Sequence, residues 1–236
     1  MSFKSLFAAA GMAACLVAGP MHATEMKPEK ANPLLAPWTG PYGGVPPFDQ
    51  AKVEHLKPAL EAGMAENLAE VDRIAANPEP ATFENTIAAL ERTGRTLDRV
   101  GTIYGIYAST LNDDAVQAVE REMEPKLAAF NDQITQNEAL FKRIEAVYEA
   151  REKSGLTPEQ QRLTWLYYTN FVRAGAKLDA AAKLQLTEIN QKLAALYTQF
   201  SQNVLADENE GQLVITDAAD LAGLPESVRA GAAQVA

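Results

Sequence analysis

Lys57 to Pro80 reads KPALEAGMAENLAEVDRIAANPEP. Leu60, Met64, Leu68, Val71 and Ile74 recur at steps of four, four, three and three. That is the period of a helix with one apolar face. Pro58 suits a first helical turn, where its missing N–H costs nothing. Asn77-Pro78-Glu79-Pro80 removes donors and stops the helix.

Downstream the same period continues. Thr82 is expected to start a second helix that turns Phe83, Ile87, Leu90, Leu97, Ile103 and Tyr107 inward. Its Gly94, Gly101 and Gly105 weaken it or admit a close neighbour. Asn112 is expected to cap a third helix, with Val116, Val119, Met123, Leu127, Phe130 and Ile134 as its stripe and Pro125 as a kink. A fourth runs from about Glu138 to Lys153, and Ser154-Gly155 ends it. Thr157-Pro158-Glu159-Gln160 has the form of a capping box and starts a fifth, which ends near Gly175. Asp179 can cap a sixth, in which Ile189, Leu193, Leu196, Phe200 and Val204 form a packing seam. Leu213-Val214-Ile215 reads as one short strand, and Asp217 and Pro225 can begin two short helices. No repeat of fixed period is present. Residues 49–236 are thus expected to form an all-α, antiparallel helical bundle with a short strand near its end.

Upstream lies a Pro/Gly-rich arm, residues 24–48, in which Pro33, Pro37, Pro41, Pro46 and Pro47 forbid a continuous helix. Leu34, Leu35, Trp38, Tyr42 and Phe48 are expected to pin it to the bundle. Its glycines make no phosphate-binding loop, because no Lys-Ser/Thr follows. Residues 1–23 combine one early lysine, an apolar run from Leu6 to Gly19, Pro20 and a small residue at Ala23. That is the layout of a secretory signal peptide, too short to span a bilayer as a helix. The one cysteine, Cys15, lies inside it, after a Met12-Ala13-Ala14 that loosely resembles a lipoprotein box. Cleavage near Ala23 leaves a chain without thiol chemistry or disulfides. A periplasmic or secreted location is expected.

The composition is ordinary for a globular chain, with 47% hydrophobic and 22% charged residues, which excludes a disordered or disulfide-scaffold chain. A formal charge of -10 without a basic cluster argues against nucleic acid as a partner. Catalytic chemistry is hard to find. Only His22 and His55 exist, and one mature histidine cannot build a three-ligand zinc site. Neither H-E-x-x-H nor G-x-S-x-G occurs. Asp207-Glu208-Asn209-Glu210-Gly211 departs from the calcium-loop spacing and reads as a solvated loop. Glu120, Glu122 and Glu124 alternate on a helix and so do not share a face. Trp165, Tyr167, Tyr168 and Phe171 read as core with hydroxyls reaching solvent, or as a wall that contacts peptide. No catalytic, cofactor-binding or metal-ligating residue is assigned.

Asn77-Pro-Glu-Pro-Ala-Thr-Phe-Glu-Asn-Thr-Ile87 resembles the N-terminal helical region of thimet-oligopeptidase-like zinc metallopeptidases, in the bacterial peptidyl-dipeptidase and oligopeptidase A branch. The resemblance continues in order through Pro58–Met64, Phe171–Ala176, Phe200–Leu205 and Leu221–Pro225. It covers about residues 45 to 230. It implies one wall of a channel that admits short peptides and excludes folded proteins. The family binds zinc through H-E-x-x-H and a downstream Glu, positions not found in this sequence, so no catalytic residue transfers. The resemblance therefore implies an N-terminal fragment, inert alone, with a C-terminal catalytic region as its missing partner and zinc bound there. The alternatives are a subunit of a split peptidase and a free-standing helical binding module. The first two leave apolar surface bare and the third does not. The final stretch, Ala218 to Ala236, carries few large apolar residues and is expected to fray.

Overall fold

The computed structural model describes residues 32–211 and 213–234; the proposed signal peptide and Cys15 lie outside them. Eight α-helices follow in order: α1 (Val53–Ala75), α2 (Ala88–Leu90), α3 (Arg95–Thr110), α4 (Asp114–Thr135), α5 (Glu138–Ala150), α6 (Pro158–Arg173), α7 (Ala180–Glu210) and α8 (Glu226–Ala233). The all-α expectation is met.

Neighbour pairs give the helix directions. Gly63 of α1 lies against Leu97 of α3, and the Tyr107 hydroxyl of α3 donates to Ala51 O just before α1. Rising position on α1 thus meets falling position on α3, so the two are antiparallel. A Cβ on Gly63 would stand 3.0 Å from the Leu97 Cα, so glycine permits that approach. Lys57 and Glu61 of α1 pair with Glu122 and Lys126 of α4 at 2.6 and 2.7 Å, so α4 runs parallel to α1.

Two apolar clusters hold the bundle. One joins Leu34, Leu56, Leu60, Ile103, Met123 and Phe130. The other joins Val71, Ile87, Leu140, Ile144, Val147 and Phe171. Leu34 is fully buried, and Asn32 ties it down by donating to His55 O at 2.8 Å. Tyr42, by contrast, is fully exposed and pins nothing.

Arg143 links the second cluster to the Asn77–Asn85 loop. Its guanidinium is buried and donates to Asn77 O at 2.8 Å, Glu79 O at 2.9 Å and Asn85 Oδ1 at 2.8 Å. Pro78 and Pro80 stiffen this loop, and the arginine supplies donors to its carbonyls.

Several local expectations are met. Thr157 and Gln160 form the capping box at α6, and Asp179 caps α7 through Ala182 N. Others are corrected. Helix α1 begins at Val53, five residues before Pro58, because Leu56 is buried and draws the preceding turn into the core. The helix expected from Thr82 to Tyr107 is broken. Thr82 caps a short π-turn, Phe83–Ile87, which runs into α2, and the chain then turns at Gly94 with φ +74°. Glu70 accepts the Gly94 N–H there at 2.8 Å. Asp113 rather than Asn112 caps α4, accepting from Ala115 N and Val116 N. Asn112 instead donates to Ala108 O and Glu120.

The expected strand at Leu213–Ile215 is also corrected. Among the described residues no strand occurs, and the isolated bridge recorded joins Thr39 and Val45. Leu213 and Ile215 have the local propensity, but a strand needs a second chain segment to receive its hydrogen bonds.

Candidate functional site: the two faces of α7

Helix α7 has 31 residues, which makes it about 46 Å long. It lies along α4, and hydrogen bonds line that contact. Lys183 Nζ donates to Gln136 O at 3.2 Å and pairs with Glu138 at 3.6 Å. Gln136 Nε2 donates to Thr187 Oγ1 at 3.2 Å, and Asn190 Nδ2 donates to Asp132 Oδ1 at 2.8 Å. Gln202 Nε2 donates to Gln117 O at 3.1 Å and Glu120 Oε2 at 3.0 Å, while its Oε1 accepts from Arg121 at 2.6 Å. As α7 advances from 183 to 202, α4 recedes from 136 to 117, so the pair is antiparallel. Lys183 and Thr198 are buried, whereas no apolar side chain of α7 is. The fully buried side chains of α7 are thus polar, with Ala194 and Leu205 half-buried among them.

The apolar seam read from the sequence faces outward instead. Ile189, Leu193, Leu196, Phe200 and Val204 are 54%, 43%, 50%, 66% and 39% exposed. Tyr197 beside them is also exposed, as are Leu213 and Val214 after the helix. Periodicity identified the stripe correctly, and its burial among the described residues is the part that fails. The inward set, Lys183, Thr187, Asn190, Thr198 and Gln202, was missed. Its signal was available, since these residues also recur at helical spacing.

The remaining residues singled out from sequence fall elsewhere. His55 stands in the first turn of α1, 4.0 Å from Glu54. The three alternating glutamates go three ways. Glu122 pairs with Lys57 and Lys126, Glu124 accepts from the Tyr104 hydroxyl at 2.7 Å, and Glu120 accepts from Asn112 and Gln202. Hydrogen bonds from Lys57 first, then Lys126, hold the Glu122 carboxyl below its ordinary range. Burial, then the Glu124 carboxylate, holds the Tyr104 hydroxyl well above its ordinary value.

Asp207–Glu210, expected as a loop, is the last turn of α7, with Gly211 as its C-cap. Acidic side chains there oppose the helix dipole, whose C-terminal end favours cations. Among the described residues no group of three or more His, Cys, Asp or Glu side chains could hold a metal.

Of the four aromatic residues, Tyr167, Tyr168 and Phe171 pack in the second apolar cluster, whereas Trp165 is half-buried outside it, with the Arg162 guanidinium 4.1 Å above its ring. Phe141 and Phe171 are buried and stack at 6.4 Å, and Tyr148 and Tyr168 stack at 3.9 Å. The Tyr167 hydroxyl donates to Glu91 at 2.6 Å, and Lys177 donates to the Tyr168 hydroxyl at 3.0 Å. This is the core arrangement with satisfied hydroxyls, not an open aromatic wall. Among the described residues, no helix is long and apolar enough to cross a membrane.

Sequence relatives exist across most of the chain. It is 40% identical over 205 residues, 87% of its length, to a dipeptidyl carboxypeptidase of Escherichia coli K12, of which the match covers 30%. It is 36% identical over 202 residues, 85% of its length, to a dipeptidyl carboxypeptidase of Salmonella typhimurium, again 30% of that protein. Oligopeptidase A of Escherichia coli K12 is 27% identical over 201 residues, 85% of this chain and 29% of that protein. No protein-family model matches the chain. The chain spans about 30% of the length of the curated relatives it matches.

Proposed function

We propose that this chain, which belongs to the family of dipeptidyl carboxypeptidase and oligopeptidase A, is a helical, non-catalytic part of a zinc peptidase. The observation that carries the reading is the 40% identity over 87% of a chain that has only two histidines. The family's H-E-x-x-H zinc motif then belongs to the part of the relatives that this chain does not span. There the metal would activate a water for attack on a peptide bond. Short peptides are the substrate class, with dipeptides released from the C-terminus as in the relatives' name. The chain by itself is inert.

The apolar stripe left bare on α7 favours a chain completed by more polypeptide over a free-standing binding module. The same reading divides the chain into an exported leader, residues 1–23, an arm, residues 24–48, and a helical region, residues 49–236. The protein acts in the periplasm or is secreted. Mass spectrometry of the exported protein should find an N-terminus at Thr24.

The test of the main claim is a peptidase assay on the purified chain with added zinc and a blocked short peptide. No dipeptide release above background is expected. Release that a chelator abolishes and zinc restores would overturn the reading.

A further inference from the structure

Helix α7 fully buries only polar side chains against its own bundle and exposes most of its large apolar ones. On a wheel of about 100° per residue, Ile189, Leu193, Leu196, Phe200 and Val204 fall within a sector of about 80°. The inward polar set is centred about a third of a turn away. We infer that this stripe is the seat of one further helix, supplied by the part of a family-type peptidase that this chain does not span. The inference rests on the family reading above and names the surface through which that reading is realised.

Four observations support it. First, the rotation of α7 is fixed. Gln202 makes three hydrogen bonds to α4, and Asn190 and Lys183 add more along the helix. Turning the stripe inward would break all of these and bury their α4 partners without replacements. The stripe is therefore held outward by a specific polar contact rather than left there by loose packing.

Second, steps of four, three, four and four are the spacing by which one helix seats another, ridges into grooves. From Ile189 to Val204 the stripe is about 22 Å long, which matches about four turns of a partner helix.

Third, the stripe is charged at one end. Asp207 continues its line, and Glu208 and Glu210 stand beside it at the negative end of the helix dipole. The occupant therefore carries lysine or arginine where it meets this end. A second copy packed parallel would bring two acidic ends together; a second copy packed antiparallel is one of the outcomes that the test below separates.

Fourth, relatives 40% and 36% identical to this chain are more than three times as long as the region it matches. They contain polypeptide enough to supply the helix.

The test places this chain's matched residues in the full Escherichia coli dipeptidyl carboxypeptidase, replacing the homologous segment. Leu196→Asp and Phe200→Asp are introduced into the chimera and into the chain alone. Leu184→Asp is the control, because Leu184 is an exposed apolar residue of α7 that lies off the stripe. The unsubstituted chimera is expected to unfold in one thermal transition and to cleave peptide. Each stripe variant should split or lower that transition and reduce activity about tenfold or more, as loss of a buried anchor does. Leu184→Asp should stay within about twofold, as surface changes do. In the chain alone, all three variants should keep the helicity of the parent and the stripe variants should bind less apolar dye. That separates lost docking from misfolding.

Stripe variants that behave like Leu184→Asp in the chimera would overturn the inference while leaving the family reading intact. A chimera that never assembles into one cooperative unit would overturn both. A discrete dimer of the chain that Leu196→Asp dissolves, with the same dimer in the chimera, would assign the stripe to a second copy and overturn it too.

Discussion

Helices α1 and α7 have similar sequence patterns and opposite fates. On α1 the residues Leu60, Met64 and Val71 are buried, because α3, α4 and α5 all lie against it. On α7 the residues Ile189, Leu196 and Phe200 are exposed, because α4 alone among the described helices packs extensively on it and meets a different face. An apolar period states that a face is built to be covered. It does not state that the same chain covers it. The contrast extends to the contacts themselves. The environment of α1 is mostly apolar, whereas α7 is attached through Lys183, Asn190 and Gln202.

That difference can be broken or sharpened by substitution, and denaturant unfolding of the chain reads most of the effects. The largest is expected in the apolar cluster. Ile144→Ala, at a fully buried site, should cost about 3–4 kcal/mol from lost transfer energy and the cavity left behind. Leu196→Ala in the same chain should change stability by no more than about 0.5 kcal/mol, since its side chain is already half in water. Equal costs would erase the contrast.

Next in size is Arg143→Met, which removes three donated hydrogen bonds and leaves Asn77 O and Glu79 O unpartnered; about 2–3 kcal/mol is expected. Arg143→Lys should recover only part of this, because an ammonium lacks the planar fork that reaches all three acceptors. Full recovery would show that charge alone matters there.

On the polar side, Gln202→Ala should cost about 1 kcal/mol. Amide exchange should locate that loss in α7 and leave α1 and α5 protected. A uniform loss of protection would mean that α7 and the bundle are one cooperative unit.

The smallest effect depends on pH. The Tyr104 hydroxyl is buried beside Glu124, and its pKa is raised in the folded state. Above about pH 10, the ordinary value for this group, the native chain holds a proton that the unfolded chain loses. Its contribution is therefore complete below that pH and declines as pH rises. Tyr104→Phe should flatten the alkaline side of the stability profile, and an unchanged slope would contradict this.

The sequence announced those features whose causes are local. Thr157-Pro158-Glu159-Gln160 names a helix start within four residues, and the capping box is there. Asn77–Pro80 names a stop, and α1 ends at Ala75. Features decided at a distance were less legible. Asn112 and Asp113 are both competent caps, and the choice follows from the tie between Asn112 and Glu120. Leu213–Ile215 has strand propensity but no partner strand. Arg143 gives one readable sign, an arginine beside the apolar positions Leu140, Ile144 and Val147, close in the fold to a loop with two prolines. For the candidate site, the stripe on α7 was legible and its outward direction was not. That direction is set by polar partners on α4, and periodicity within α7 cannot see them.

The most direct test of the central claim is hydroxyl-radical labelling of the chain alone in dilute solution, read residue by residue. Tyr197 and Phe200 should be modified quickly, and Phe130 and Phe141 should be protected by the core. Phe200 as well protected as Phe130 would mean that the stripe on α7 is buried within the chain, and the account of a docking face would be wrong.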